Sequence, residues 1–377
     1  MKHTKILNDA HMDNRLSEKF PLVSIIILNY NGAKYLEKCL KSVLATNYPN
    51  YEIILVDNAS TDESLALIEY LFKDEPRLIV IRNTKNVGFS EGNNIGIRRA
   101  RGKYIVFLNN DTEVEPNWLI ELIRIMEKDH SIGAAQSKLL KLGSSGIIDS
   151  TGDFLDFYGV AIQRGEGEKD LGQYENVEEI FSARGACMIV RREVLKKVGL
   201  FDPDFYLGYE DIDLCWRIRL AGYKIIYVPK SIVYHKGFGT PSNVRAYHGA
   251  KNRLLLMIKN YSTRNLAFHL PLQLLLMLTS FLLDAFVRKN RISAMRKLKV
   301  LKWLFLNIPH VIKKRQFVQS LIRKVSDNEL KKIMLQSNLA LYMRYILEVH
   351  RALENMERLR IIRRWYFSMT NPMVKPK

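Results

Sequence analysis

Four short polar clusters stand out by residue type and spacing. In Val56-Asp57-Asn58 a carboxylate closes an apolar run, where it can accept hydrogen bonds from a nucleobase or ribose, or cap a helix. Asn86-Val87-Gly88-Phe89, continued by Gly92-Asn93-Asn94-Ile95-Gly96, spaces glycines so that backbone N–H groups can approach a ligand near a helix start. It is not the GxGxxG fingerprint. Asn109-Asn110-Asp111, followed by Thr112 and Glu113, collects oxygen-bearing side chains that suit Mg²⁺ or Mn²⁺ or, equally, a plain turn. The fourth cluster, Gly208-Tyr209-Glu210-Asp211-Ile212-Asp213, sets acids at a helix N-terminus, where the helix dipole also favours them for structural reasons. His235 ends a strand-like run and is either a neutral imidazole ligand or a structural histidine.

Elements of an α/β pattern position these clusters. Val23 to Leu28, Glu52 to Val56, Leu78 to Ile81 and Tyr104 to Leu108 read as buried strands. Helical patterns separate them: Leu36, Leu40, Val43 and Leu44 share one face, a second helix opens after Thr61 and runs past Phe72, and Gly92 to Ala100 is a third. Alternation of this kind predicts parallel βαβ units, whose ligands gather at the carboxyl edge of the sheet. Gly143 to Ile180 reads as loops and short strands. Ala186 to Val190 is then a strand, Glu210 to Ala221 a helix ended by Gly222, and Ile225 to Val228 and Ile232 to Tyr234 two further strands.

The charge is uneven. The chain has 377 residues with 47% apolar content and a net charge of +19, which excludes a disulfide-stapled miniprotein and a disordered chain. Residues 1–240 carry 31 Lys and Arg against 33 Asp and Glu, and residues 241–377 carry 27 against 6. The excess therefore lies in the last third, which predicts an anionic partner for that part. Cys39, Cys187 and Cys215 show no metal or disulfide spacing and read as core thiols of a reducing compartment. The first 20 residues lack the apolar core of a secretory signal and read as a tail, with the rest on the cytoplasmic side.

After about Arg245 the pattern is helical. Asn265 to Leu283 is a 19-residue stretch without Lys, Arg, Asp or Glu, close to the ~20 residues that span a bilayer. His269, Pro271 and Gln273 argue against a span, leaving an interfacial helix, a span or a buried helix open. Arg291 to Ile312 reads as one imperfectly amphipathic segment. In Tyr345 to Tyr366, Tyr345, Val349, Ala352, Met356, Leu359 and Ile362 share one helical face.

The order VSIIILNYNGAKYLEKCLKSVL, EIILVDNASTDES, NVGFSEGNNIGIRRARGKYIVFLNND and GACMIVRREVLKKVGLFDPDFYLGYEDIDLCWRIRLAGYKIIYVPKSIVYH closely resembles the family-2 inverting glycosyltransferases of GT-A fold. Within them it is most similar to a bacterial rhamnosyltransferase-like branch. The match covers roughly residues 22 to 240, and KKRQFVQSLIRKVSDNEL near the C-terminus resembles the tail of polysaccharide-assembly members. The resemblance implies a Rossmann-like, mainly parallel α/β sheet with helices on both faces, followed by an α-helical basic region. Its domains would be a tail over 1–20, a transferase domain over 21–245 and a membrane-associating region over 246–377.

The resemblance also implies a nucleoside-diphosphate-sugar donor bound by Asp57 and Tyr30, with Asn86, Gly88, Asn94 and Asn110 at the same site. Asp111 falls on the last position of an Asp-x-Asp metal motif whose first position here is Asn109, a poorer ligand, and His235 on a histidine that completes a Mg²⁺ or Mn²⁺ site. Asp211 falls on the aspartate that serves as general base, with Glu210 the next candidate. The expected activity is transfer of a sugar, rhamnose on the branch resemblance, to a lipid-linked or cell-surface glycan at the inner face of the membrane. A non-catalytic nucleotide- or glycan-binding module is the alternative, which Asn109 favours. Nucleic-acid binding is not expected, since no zinc, RNP or helix-turn-helix signature accompanies the basic charge.

Overall fold

The computed structural model describes residues 20–237, 242–351 and 356–371, so the proposed tail lies outside the described residues except for Phe20. That ring packs edge-on against Tyr48. The first half alternates strands β1 (Val23–Asn29), β2 (Tyr51–Asp57), β3 (Leu78–Arg82) and β4 (Tyr104–Asn109) with helices α1 (Ala33–Leu44), α2 (Ser64–Leu71) and α3 (Gly88–Arg99). Thus α2 stops short of Phe72. There follow β5 (Thr112–Val114), α4 (Trp118–Lys128), β6 (Ile132–Lys141), β7 (Ile148–Ser150), β8 (Asp153–Leu155), β9 (Ala161–Gln163) and β10 (Glu178–Glu179). The transferase-like part ends with β11 (Cys187–Arg191), α5 (Arg192–Val198), α6 (Glu210–Leu220) and β12 (Lys224–His235).

The main sheet runs β10-β12-β6-β11-β4-β1-β2-β3, with β5 on β12 and β7 on β6. Pairs β1–β2, β1–β4, β2–β3 and β6–β12 are parallel, and β11 is antiparallel to both β4 and β6. Sequence periodicity did not reveal β6 and α4. Strand β6 is buried on both faces, and its IGAAQSKLLK mixes small and polar residues because its neighbours, not its own apolarity, hold it. Two strands expected after α6 are one, β12, with a bulge between Val228 and Ile232.

Strand β1 is VSIIILN, and the pleat sends alternate side chains to opposite faces. Ile26 enters a core shared with α5, α6 and the C-terminal helices. Ile25 and Ile27 enter a second core with α1 and α4. The close approach of α3 to β1 depends on Gly96, where a Cβ would lie 2.6 Å from Ile26 Cγ2.

The C-terminal part is helical: α7 (Ser242–Asn260), α8 (Thr263–Leu282) with a π-helical turn over Leu283–Val287, α9 (Arg291–Leu306), α10 (Ile308–Phe317), α11 (Asp327–Leu330), α12 (Leu339–Arg351) and α13 (Met356–Thr370). The boundary drawn at 245/246 falls within α7. Arg291 to Ile312 is two helices that break at Asn307, ahead of Pro309.

Tyr345 to Tyr366 is likewise not one helix. In a continuous helix these residues would stand ~31 Å apart, yet their rings are 4.3 Å apart, on α12 and α13 packed together. The shared apolar face is a contact between two helices, and Ala352 lies outside the described residues. These helices share a core with the sheet: Leu255, Leu256, Tyr261, Tyr342 and Tyr366 pack with Phe181, Trp216 and Tyr227.

Candidate active site

At the carboxyl edge, Asn29 and Asp57 end β1 and β2 in register. Asn29 Nδ2 donates to Asp57 Oδ1 (3.0 Å) and to Ser60 Oγ (3.0 Å), and its Oδ1 accepts from Asn110 Nδ2 (2.7 Å). Asp57 Oδ2 accepts from the Ser60 N–H. Asn29 thus joins Asp57 and Asn110, two expected site residues from different strands. The expectation passed over it, although its place opposite Asp57 was legible. Tyr30 beside them is 50% exposed, leaving a ring face free for a planar base.

The glycine-rich stretch is tied into the fold by its own polar groups. The Gly88 N–H donates to Asn86 Oδ1, which also accepts from Asn58 Nδ2. Gly88 has φ +83°, and a Cβ there would lie 2.5 Å from the Tyr206 ring. Asn94 donates to the Phe201 carbonyl (2.9 Å) and accepts from its N–H (3.1 Å). Gly88 and Asn94 therefore tie α3 to the 201–206 loop.

The third cluster meets His235 across the sheet. Strand β12 pairs with β5, opposing His235 to Thr112. This brings His235 Nε2 within 3.2 Å of Asn109 Nδ2 and 3.4 Å of Asp111 Oδ1. On its other side His235 Nδ1 contacts Asp149 Oδ2 at 2.9 Å. Asp149, on β7, was not foreseen, because the stretch from Gly143 to Ile180 has no periodicity that places it.

Burial works against the charged imidazole, but the hydrogen bonds and charges of Asp111 and Asp149 outweigh it and raise His235 to about 9. Burial likewise opposes ionisation of Asp149, and Arg184 and His235 together bring it down to about 2. A carboxylate behind a ligating histidine fixes its tautomer. Asp111 and His235 are the groups that would hold a Mg²⁺ or Mn²⁺ ion, the imidazole giving up its proton to ligate. Asn109 presents its Nδ2 toward His235, so its oxygen would ligate only after the amide turns over, and the remaining ligands would come from a diphosphate. Among the described residues no cluster of three His, Cys, Asp or Glu side chains could hold a metal unaided.

Asp211 lies in the first turn of α6, after a loop with left-handed Tyr206, Gly208 and Tyr209. Such strain persists only where the surroundings enforce it. Here Asn252 of α7 donates to the carbonyls of Phe205, Leu207 and Gly208. Asp211 accepts from the N–H groups of Gly185 (3.1 Å) and Ile212 (2.8 Å), and burial raises its carboxyl above the usual range.

Burial, then the charge of Asp211, also raises Glu210, whose Oε2 has no hydrogen-bond partner. The two carboxylates thus differ: Asp211 is held by two N–H donors, and Glu210 keeps an orphan oxygen. Arg184, with Nη1 at 3.5 Å from Asp149 Oδ2, is the cation between the two clusters. Asp153 beside it is pushed up to about 7, first by burial.

Comparison with known proteins follows this geometry. Residues 24–199 match the model of the glycosyl transferase family 2. The chain is 31% identical over 224 residues to the O-antigen biosynthesis protein RfbC of Myxococcus xanthus, covering 57% of this chain and 17% of that protein. It is 26% identical over 216 residues to a poly-beta-1,6-N-acetyl-D-glucosamine synthase of Staphylococcus epidermidis, covering 56% and 49%. The chain thus spans less than half the length of these two relatives. The structure of GalNAc-T7 with UDP, GalNAc and Mn²⁺ superposes with a TM-score of 0.56 at 18% identity, over 85% of this chain and 60% of that one. The fold is that of GT-A proteins, as the sequence implied.

Proposed function

We propose, from the glycosyl transferase family 2 domain at residues 24–199, that this protein is an inverting glycosyltransferase using a nucleoside-diphosphate sugar. The observation that carries the reading is the convergence, at one sheet edge, of Asp57, the Asp111–His235 pair and a part-buried Asp211 held by two backbone N–H groups.

Asp211 would take the proton of an acceptor hydroxyl as its oxygen attacks the anomeric carbon opposite the departing diphosphate, and that single displacement inverts the centre. Tyr30 and the Asn29–Asp57–Asn110 edge would hold the nucleotide, and Asp111, His235 and Asn109 the cation. When bound, Mg²⁺ or Mn²⁺ supplies Lewis-acid stabilisation of the leaving diphosphate. Resemblance to the rhamnosyltransferase-like branch makes a rhamnose donor the first to test. The acceptor would be a lipid-linked or cell-surface glycan.

The test is diphosphate release across a panel of nucleotide sugars, with thermal shift in parallel. With Mn²⁺, a cognate donor at 100 times its Kd is expected to stabilise the fold by about 2.7 kcal/mol, and EDTA to abolish both that shift and turnover. Donor binding without turnover on any acceptor would support the non-catalytic alternative.

We further propose that the protein works at the inner face of an anionic membrane. Thr263–Val287 is the single described helix long and apolar enough to cross a bilayer. Its His, Gln and Asp side chains face the protein: His269, Gln273 and Asp284 are buried, and Gln273 hydrogen-bonds Tyr342 and the Tyr158 carbonyl. Phe268, Leu275, Leu278, Leu282 and Phe286 are exposed, and at about 100° per residue they form one stripe. Polar residues inward and apolar residues outward favour a helix lying in the interface.

Exposed Lys289, Arg291, Lys299 and Lys302 flank it. Since Asn252 and Lys259 of α7 hold the catalytic loop and α6, point variants test this better than truncation. Leu275→Asp with Phe286→Asp is expected to weaken pelleting with phosphatidylglycerol vesicles by about tenfold or more, at unchanged Tm. Unchanged pelleting would refute the assignment.

A further inference from the structure

A cleft of about 1130 Å³ lies away from the sheet edge, at the N-terminal end of α8; Phe157, Tyr158, Arg264, Phe268, His269 and Lys331 help to line it. Its wall is cationic and aromatic. Arg264 is exposed on the first turn of α8, and the Lys331 ammonium lies 4.9 Å from the centre of the Phe157 ring. Among the described residues neither side chain has an ion-pair partner. The acid in the wall, Asp327, is already engaged by Arg323 (2.8 Å), the Ser262 N–H (2.9 Å) and Asn265 Nδ2 (2.7 Å). The surplus charge is positive. His269, 8% exposed, lines the same cleft, and its Nδ1 has no hydrogen-bond partner.

The cleft is continuous with an apolar surface. Phe268, 69% exposed, stands in the cleft wall and begins the stripe that runs through Leu275 and Leu282 to Phe286. A cationic recess opening onto an apolar stripe matches a molecule with an anionic head and a hydrocarbon chain. A loop in the wall of the recess also touches the residue that precedes the two candidate acids. Phe157 and Tyr158 belong to a loop whose Gly159 carbonyl accepts from the Tyr209 hydroxyl at 3.3 Å, and Glu210 and Asp211 follow Tyr209.

We infer that this cleft binds the phosphate headgroup of a membrane lipid whose chain lies along the exposed stripe of α8. The inference rests on the membrane-facing reading above. It adds a discrete, saturable site to a diffuse electrostatic attraction.

The full chain is titrated by calorimetry with monomeric dioctanoyl phosphatidic acid and, separately, with inorganic phosphate. The expected result is saturable one-site binding of the lipid, at least tenfold tighter than inorganic phosphate. Lys331→Glu and Arg264→Glu should each weaken it about tenfold or more. His269→Phe, which keeps the ring stack and removes the orphan nitrogen, should weaken it less.

Equal binding by wild type and both cation variants would overturn the site. Equal affinity for inorganic phosphate would overturn the lipid assignment in favour of a free anion. A stable dimer that the lipid does not dissociate would overturn it in favour of a second copy on the stripe. No lipid binding by a protein that still pellets with phosphatidylglycerol vesicles would overturn the site and leave the membrane reading standing. Loss of both would overturn the two together.

Discussion

Asp211→Asn is expected to lower kcat about 10²- to 10⁴-fold, the range general-base catalysis contributes, with donor affinity within about twofold of wild type. The Gly185 and Ile212 N–H groups bond different oxygens of Asp211, so asparagine keeps an acceptor for one of them and the side chain keeps one of its two anchors while the base is lost. Such a separation of kcat from binding marks a group that acts in the transition state.

The pH profile provides a second readout. Burial raises the Asp211 carboxyl above the ordinary aspartate range, and the base works only when deprotonated. Activity should therefore fall on acidification at a pH above ~3.9, the unperturbed aspartate value. Near wild-type turnover by Asp211→Asn in a coupled diphosphate-release assay would remove Asp211 from the mechanism and turn attention to Glu210.

Lys259→Met should destabilise the whole fold, not the C-terminal helices alone. Lys259 Nζ reaches Asp202 Oδ2 (2.5 Å) and Asp213 Oδ1 (3.0 Å), and all three groups are buried. Removing one partner of a buried network leaves uncompensated charge, at a cost of about 3–5 kcal/mol. Lys314 remains on Asp202 and Arg217 on Asp213, so the lower end applies. At ~2.1 cal/mol/K per residue this corresponds to a Tm lower by about 4 °C.

Burial opposes ionisation of Asp202, but Lys259 and Lys314 hold its carboxyl well below the usual range. A depressed carboxylate contributes stability that is full above its unfolded value of ~3.9 and fades as the pH falls through the folded one. The variant should lose part of that dependence. A Tm unchanged at neutral pH would show that Lys259 does not tie α7 to α6, and calorimetry in a pH series measures both effects.

Much of the first half was legible in the sequence. Strands β1, β2 and β4 are mostly apolar runs, since a strand buried on both faces of a sheet demands apolarity at nearly every position, and the partly buried edge strand β3 keeps the same pattern over Leu78 to Ile81. The residues just after such runs must lie at the carboxyl edge, which placed Asp57, Asn110 and Asp111 correctly. Strand β6 escaped because Gly, Ala, Gln, Ser and Lys are unlike a central strand. Its Lys138 is buried only because Asp170 and Glu175 reach it. For Gly88 and Asn94 a tight turn and a phosphate loop demand the same residue types, and their contacts to Tyr206 and Phe201 come from residues more than 100 positions away, which no local pattern shows.

By itself the sequence determined the βαβ succession, the placement of Asp57 and Asp111 at one edge, the acids at the start of α6 and the charge asymmetry. Each depends on residue type and spacing along a short segment. The tertiary structure decided that Asp149 stands behind His235, 86 residues away, that Tyr345 and Tyr366 meet, and that α7 holds the loop before α6. It also decided that His269 and Gln273, the polar residues inside the apolar stretch, turn inward. Periodicity reports how a helix is divided into faces. Which face meets protein is settled by the partner packed against it, and that partner is distant in the chain.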